Sequence, residues 1–272
     1  MYRPGYKKRS PDSPQGIQPV TRLFRSGDKI FDLGTPNKSF VKVALTLKKL
    51  GIKNWYFMLE IKDPNLINVD PYSVDSQGYT NLTQSDITRI AIEISRNPWY
   101  YLREVVRIPD PGGKPVPYLA NRGNIAQAYC ALNGVDSWLN LPRQQGKTMS
   151  ALALQQWVID YGTRNSDIIF LNKKREDAIK NLARLSAIRE ALPSYLKIDS
   201  YVDENGKIIK GVNNATLIRN PITQNSITVL GKANSKEAAL NLARGLTTPG
   251  QHSDETEFTS YIDVIIQNSA PT

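Results

Sequence analysis

One segment of this 272-residue chain constrains it more than any other: Leu141-Pro142-Arg143-Gln144-Gln145-Gly146-Lys147-Thr148. It joins a predicted strand (137–141) to a predicted helix (147–161). A strand, a tight loop and a helix in that order frame a phosphate-binding loop. The helix start offers N–H groups and the positive end of the macrodipole to an anion. Gly146 lets the backbone approach phosphates with no Cβ in the way. Lys147 has the reach for β- and γ-phosphates. The Thr148 hydroxyl suits Mg²⁺, a hard cation that prefers oxygen ligands. The common pattern is G-x-x-x-x-G-K-[ST], and Leu141 stands where its first glycine would be.

The surrounding pattern fits an α/β domain over 118–272. Helical periodicity over 124–132, 147–161, 175–192 and 235–243 alternates with apolar strand signals at 137–141, 167–171 and within 195–230. That alternation predicts a mainly parallel sheet. Residues 31–117 read as a separate, mostly helical subdomain. Phe40, Val41, Val43, Ala44, Leu45, Leu47 and Leu50 make one apolar stripe, a strand or short buried segment is expected over 54–61, and Thr83 to Ser85 cap a helix carrying Ile87, Ile90, Ile92 and Ile94. Asn97-Pro98 breaks that helix, another apolar helical run starts at Trp99, and Pro109–Pro117 is a connector. Trp99, Tyr100, Tyr101 and Trp138 read as core rather than as base-stacking rings. Residues 1–30 hold seven basic and two acidic residues and four prolines. They read as a disordered basic tail.

Composition removes several classes. The one cysteine, Cys130, and the one histidine, His252, cannot form an internal disulfide or a Cys/His zinc site. No apolar run reaches the ~18 residues of a membrane span, and Met1 is followed by Tyr-Arg-Pro-Gly rather than an apolar signal core. These features predict a soluble chain with no membrane partner. The 35 Lys and Arg outnumber the 25 Asp and Glu, a net charge of +10 that favours polyanionic partners. Lys173, Lys174 and Arg175 open a helix and read as either a solvated face or a phosphate contact.

Within the loop, Arg143 lies four residues before Lys147, where a guanidinium would neutralise charge on a transferring phosphoryl group. This Pro-Arg-Gln-x-Gly-Lys-Thr form resembles the Walker A segment of tailed-bacteriophage terminase large subunits, ATPases that package DNA into procapsids. The resemblance runs through Phe40–Leu45, Leu50–Asn54, Asn97–Pro109 and Asn121–Asn124. It continues in Ala243-Arg244-Gly245-Leu246-Thr247 and Asp254-Glu255-Thr256-Glu257-Phe258, covering roughly 36–272 in motif order.

The resemblance implies a RecA-like (ASCE) P-loop NTPase core preceded by a helical lid subdomain. It implies ATP and Mg²⁺ as cofactors, held by Arg143, Gln144, Gln145, Gly146, Lys147 and Thr148. Asp254 would join Thr148 at the metal, and Glu255 would polarise the attacking water. Either Arg143 or Arg244 would serve as an arginine finger. Either Asn124 or Gln127 would read the adenine edge. From its own neighbours, though, Asp254-Glu255 reads as a surface loop pair, because 247–253 is almost free of apolar residues and contains Pro249. Implied partners are double-stranded viral DNA, a portal protein, a small terminase subunit and further copies in a ring, in the host cell cytoplasm. The family's nuclease domain has no counterpart before Thr272, so the chain is expected to be C-terminally incomplete and nuclease activity is not expected. Two other readings stand beside this one: a split-gene nucleotide- or DNA-binding fragment that needs a second polypeptide, and another RecA-like translocase or helicase.

Overall fold

The computed structural model describes residues 23–137, 145–172, 174–230, 235–242, 251–254, 261 and 263–265. The chain forms two compact units. The first comprises residues 1–107, 116–134 and 192–196; the second comprises 108–115, 135–191 and 197–272. The boundary differs from the sequence expectation, because residues 118–134 join the first unit rather than the phosphate-loop unit.

The first unit opens with a hairpin, β1 (Leu23–Ser26) against β2 (Lys29–Asp32). The sequence predicted a tail through residue 30; instead Phe24 and Phe31 give the hairpin an apolar face that packs on Tyr56, with ring centroids 5.0 and 4.4 Å away. Helix α1 (Lys38–Lys49) follows, burying Phe40, Val43 and Ala44. Of the two readings of 54–61, the structure shows mostly the short buried segment, a 3-10 turn at Phe57–Leu59 with Met58 and Leu59 buried, and only β3 (Glu60–Ile61) is extended and paired to β2.

Helix α2 (Gln84–Arg96) starts on a capping box. The Thr83 hydroxyl accepts from the Asp86 N–H, and the Asp86 carboxylate accepts from the Thr83 N–H. The helix ends at Asn97, whose side chain caps the next short helix, α3 (Pro98–Tyr100). A π-helical turn, Tyr101–Val105, continues it and is wholly buried. Strands β4 (Arg107–Pro109) and β5 (Pro115–Pro117) pair, and α4 (Arg122–Leu132) follows with its own capping box from Asn121 and Asn124.

Buried charge in this unit is paired. The Arg103 guanidinium donates to the Glu104 carboxylate at 3.0 Å and to the Met58 carbonyl at 2.6 Å, and Thr35 donates to Glu104 as well. Glu93 accepts from the Lys62 and Asp63 N–H groups, both at 2.9 Å, and from Asn97. A buried ion left without such partners would cost several kcal/mol.

The second unit is built on a five-stranded sheet. Helix α5 (Lys147–Trp157) runs into a π-helical turn (Val158–Gly162), then β6 (Asp167–Asn172) and α6 (Arg175–Glu190). An exposed hairpin, β7 (Ser200–Val202) with β8 (Ile208–Lys210), precedes β9 (Val212–Asn213), β10 (Leu217–Arg219) and β11 (Ser226–Val229). Helix α7 (Lys236–Leu242) and β12 (Gln251–Asp254) complete the described elements.

The strand order is β12-β6-β11-β10-β9. The β12, β6 and β11 strands are parallel, whereas β10 and β9 run antiparallel to their neighbours. The unit is therefore α/β, as predicted, with a mixed rather than mainly parallel sheet. Ile168 to Leu171 are all buried, the mark of a strand covered on both faces. Ile169 and Leu171 pack with Ala239, Val264 and Ile265, leaving Ile168 and Phe170 for the opposite face.

Candidate nucleotide-binding site

Helix α5 begins differently from α2 and α4. Its N-cap is Gly146, in the left-handed region at φ 71°, ψ 18°. A residue with a Cβ would sit there at a cost of about 1–2 kcal/mol. Glycine brings no side-chain acceptor, and the first turn contains no acid. Ser150 donates its backbone N–H to the Gly146 carbonyl at 2.9 Å, so the helix winds from this point. Gln145 and Gly146 are exposed, and Lys147 and Thr148 are half-buried. Leu141, Pro142, Arg143 and Gln144 lie outside the described residues, as does the strand predicted over 138–141.

The other end of α5 is pinned. Asn225 donates to the Ile159 and Thr163 carbonyls at 2.8 and 2.7 Å and accepts from the Ser166 N–H at 3.0 Å. Thr223 donates to the Ile159 carbonyl at 2.8 Å. These bonds tie the end of the helix to the amino ends of β6 and β11. From Ile159 back to Gly146 the chain runs about 20 Å, at ~1.5 Å per residue. Helix α5 packs against α6, which begins where β6 ends. The run back therefore carries Gly146, Lys147 and Thr148 toward the carboxyl edge of the sheet.

Strand β12 ends at that same edge. It pairs in parallel with β6, and Asp254 stands in register with Asn172, the last residue of β6. This corrects the reading of Asp254 as a loop residue. The polar Gln251-His252-Ser253-Asp254 run is tolerated because β12 stands last in the strand order among the described strands, and Pro249 precedes the strand rather than interrupting its ladder. Loops at the carboxyl edge of an open α/β sheet are where ligands bind as a rule. Glu255 and Arg244 lie outside the described residues.

The two amides expected to read adenine are on α4, in the first unit, and differ from each other. Asn124 is buried, and its Oδ1 accepts from the Asn121 N–H at 3.1 Å, so it closes its own helix start. Gln127 carries a buried Oε1 that has no hydrogen-bond partner among the described residues. Tyr100 and Tyr101 are buried in the core and Trp99 packs edge-on against Phe57, as their reading as core residues requires. Lys174 and Arg175 are exposed at the start of α6, while Lys173 and Trp138 lie outside the described residues.

A polar cluster that the sequence did not reveal lies beneath the pinned end of α5. The buried Asp160 carboxylate accepts from Asn220 at 2.7 Å and from Gln156. Burial pushes its pKa above the usual carboxylate range, against the pull of the Arg189 charge and of those two hydrogen bonds. Arg189 in turn donates to the Ile198 carbonyl and pairs with Asp199 at 3.2 Å. The only sequence signal was the run of asparagines among the short strands (Asn205, Asn213, Asn214, Asn220 and Asn225), a pattern that ordinary turns share.

A cavity of about 580 Å³ lies elsewhere, along α2, lined by Lys62, Asp63, Arg89, Glu93 and Arg96 among others. Its Asp63 and Arg89 pair with each other at 2.7 Å, and its Glu93 is satisfied by backbone N–H groups. Comparison with known proteins returns no matching family model and no significantly similar curated protein.

Proposed function

We propose that this chain binds ATP with Mg²⁺ at the start of α5 and is the ATPase part of a motor that packages double-stranded DNA into a viral procapsid. The observation that carries the nucleotide reading is the glycine-capped, acid-free start of α5, which the run of the helix directs toward the sheet edge where β12 ends. Lys147 would hold the β- and γ-phosphates, Thr148 and Asp254 the metal ion, and Glu255 the attacking water. Phosphoryl transfer needs this positioning and charge stabilisation rather than a covalent intermediate. Arg143 or Arg244 would stabilise the charge that develops on the γ-phosphate. The DNA-packaging part of the reading rests on the resemblance of the motif series between Phe40 and Phe258. A fragment that binds nucleotide only beside a second polypeptide is the competing reading.

Hydrolysis of ATP by the chain with and without duplex DNA tests the proposal. Lys147→Ala is expected to lower turnover at least 100-fold. Glu255→Gln is expected to keep ATP binding and lose turnover, because its contribution is confined to the transition state. Wild-type turnover no higher than that of Lys147→Ala, with DNA in excess, would remove the lone-chain motor.

A further inference from the structure

The net charge of this protein is concentrated at one end of its sequence. Residues 1–59 contain twelve Lys and Arg against three Asp and Glu, a net of +9, while residues 60–272 contain 23 against 22, a net of +1. No acidic residue occurs between Asp32 and Glu60, a stretch with five lysines. Where the structure describes that stretch, the lysines are organised. Lys38, Lys42 and Lys49 recur with Leu45 at i, i+4, i+7 and i+11 along α1, which places all four on one face. All four are exposed, and Lys53, four residues past the helix end, is exposed as well. The opposite face, with Phe40, Val43 and Ala44, is buried in the first unit.

The stripe covers about 16 Å of helix, at ~1.5 Å per residue. None of the four lysines, Lys53 included, takes part in an ion pair among the described residues. A fifth, Lys48, lies over the Trp55 ring at 5.1 Å. Trp55 is also packed by Phe24 of β1, at 6.0 Å between centroids. Strand β1 and the carboxyl end of α1 thus meet at Trp55.

We infer that the exposed face of α1, through Lys38, Lys42, Lys49 and Lys53, binds the phosphate backbone of nucleic acid without reading its sequence. A row of like charges with no interspersed acid is matched by a uniform line of phosphates, and each contact releases condensed counterions. A bilayer surface is a poorer match, because the apolar side of α1 is already used inside the unit and a surface-bound helix must insert that side. A protein partner presents mixed charge to most of such a stripe. The duplex form of the polymer rests on the proposed packaging function; the affinity for phosphate backbone rests on the charge arrangement alone.

The test is binding of the full chain to a fluorescent 30-base-pair duplex of arbitrary sequence, without nucleotide, across a salt titration. Lys38, Lys42, Lys49 and Lys53 are changed together to Gln. The expected result is at least tenfold weaker binding at 50 mM salt and a fall of about 3.6 in the slope of log K against log salt, since each of the four contacts contributes ~0.9. Lys207→Gln with Lys210→Gln, on the exposed β7–β8 hairpin, is the charge-loss control and is expected to leave the slope within 1 of wild type. Should the fourfold variant fail to fold, Lys42→Gln and Lys49→Gln singly are each expected to lower the slope by about 1.

An unchanged affinity and slope in folded variants overturns the inference. So does tighter binding, lost in the same variants, to phosphatidylserine vesicles or to polyglutamate than to the duplex. Binding of a 30-nucleotide single strand in place of the duplex overturns the duplex form. With no nucleotide in the assay, these outcomes are independent of whether Lys147→Ala loses hydrolysis, so either claim fails alone.

Discussion

Helices α2 and α5 start in opposite ways. At α2 the Thr83 hydroxyl and the Asp86 carboxylate satisfy each other's backbone N–H groups, and the acid offsets the positive helix end. Helix α4 repeats the device with two asparagines. At α5 the N-cap is a left-handed glycine with no side chain to offer and no acid in the first turn. A helix start closed by its own side chains repels or excludes an anion; a glycine start at the carboxyl edge of a sheet leaves that place for a ligand. Under the proposed function, the contrast is between a start that serves stability and one that serves binding.

Converting one kind of start into the other gives the largest expected effect. Gly146→Asp places a carboxylate where phosphate would sit, and ATP affinity is expected to fall about 100-fold, roughly 3 kcal/mol. Isothermal titration checks it, with circular dichroism to show that α5 persists. Gly146→Ala adds only a Cβ at positive φ, so a smaller loss is expected, about 1–2 kcal/mol in stability and up to tenfold in affinity. If both variants bind ATP like wild type, the start of α5 is not the nucleotide site.

Breaking a closed start has the complementary signature. Thr83→Ala is expected to cost about 1 kcal/mol of stability and leave ATP affinity unchanged. Denaturant melts and the same titration read both. The two amides of α4 sharpen the comparison further. Asn124→Ala loses a cap and is expected to act on stability, again by about 1 kcal/mol. Gln127→Ala is expected to leave the melt nearly unchanged, because its Oε1 makes no hydrogen bond among the described residues that the substitution would break.

The smallest effect concerns the pinned end of α5. Asp160 has a folded pKa raised by burial above the ordinary value of 3.8. Its unfolded form therefore ionises first as pH rises. The stability it contributes is full below about pH 4 and is lost as pH rises through the folded pKa. Urea melts from pH 4 upward are expected to show wild type losing stability relative to Asp160→Asn. A parallel pair of pH profiles would show that Asp160 ionises in the folded protein as it does in the unfolded one.

The amino-acid sequence alone determined what depends on near neighbours. The helix cap at Thr83, the Asn97-Pro98 break and the Gly-Lys-Thr helix start are decided within one turn of helix, so their positions were legible before any fold was known. So was the apolar run of β6, whose four buried residues need cover on both faces wherever they lie. Tertiary structure decided the rest. The Gln251–Asp254 segment is a strand because β6 supplies a ladder for it, not because its side chains favour one. The 23–32 hairpin exists because Tyr56 packs against its phenylalanines, and helix α4 belongs with the first unit through contacts from distant segments. Asp160, Asn220 and Arg189 carry no local mark of burial, and only the fold buries them. The physical reason is range: caps and turns spend their interactions on adjacent residues, whereas edge strands and buried polar groups are stable only with partners that folding brings from far along the chain.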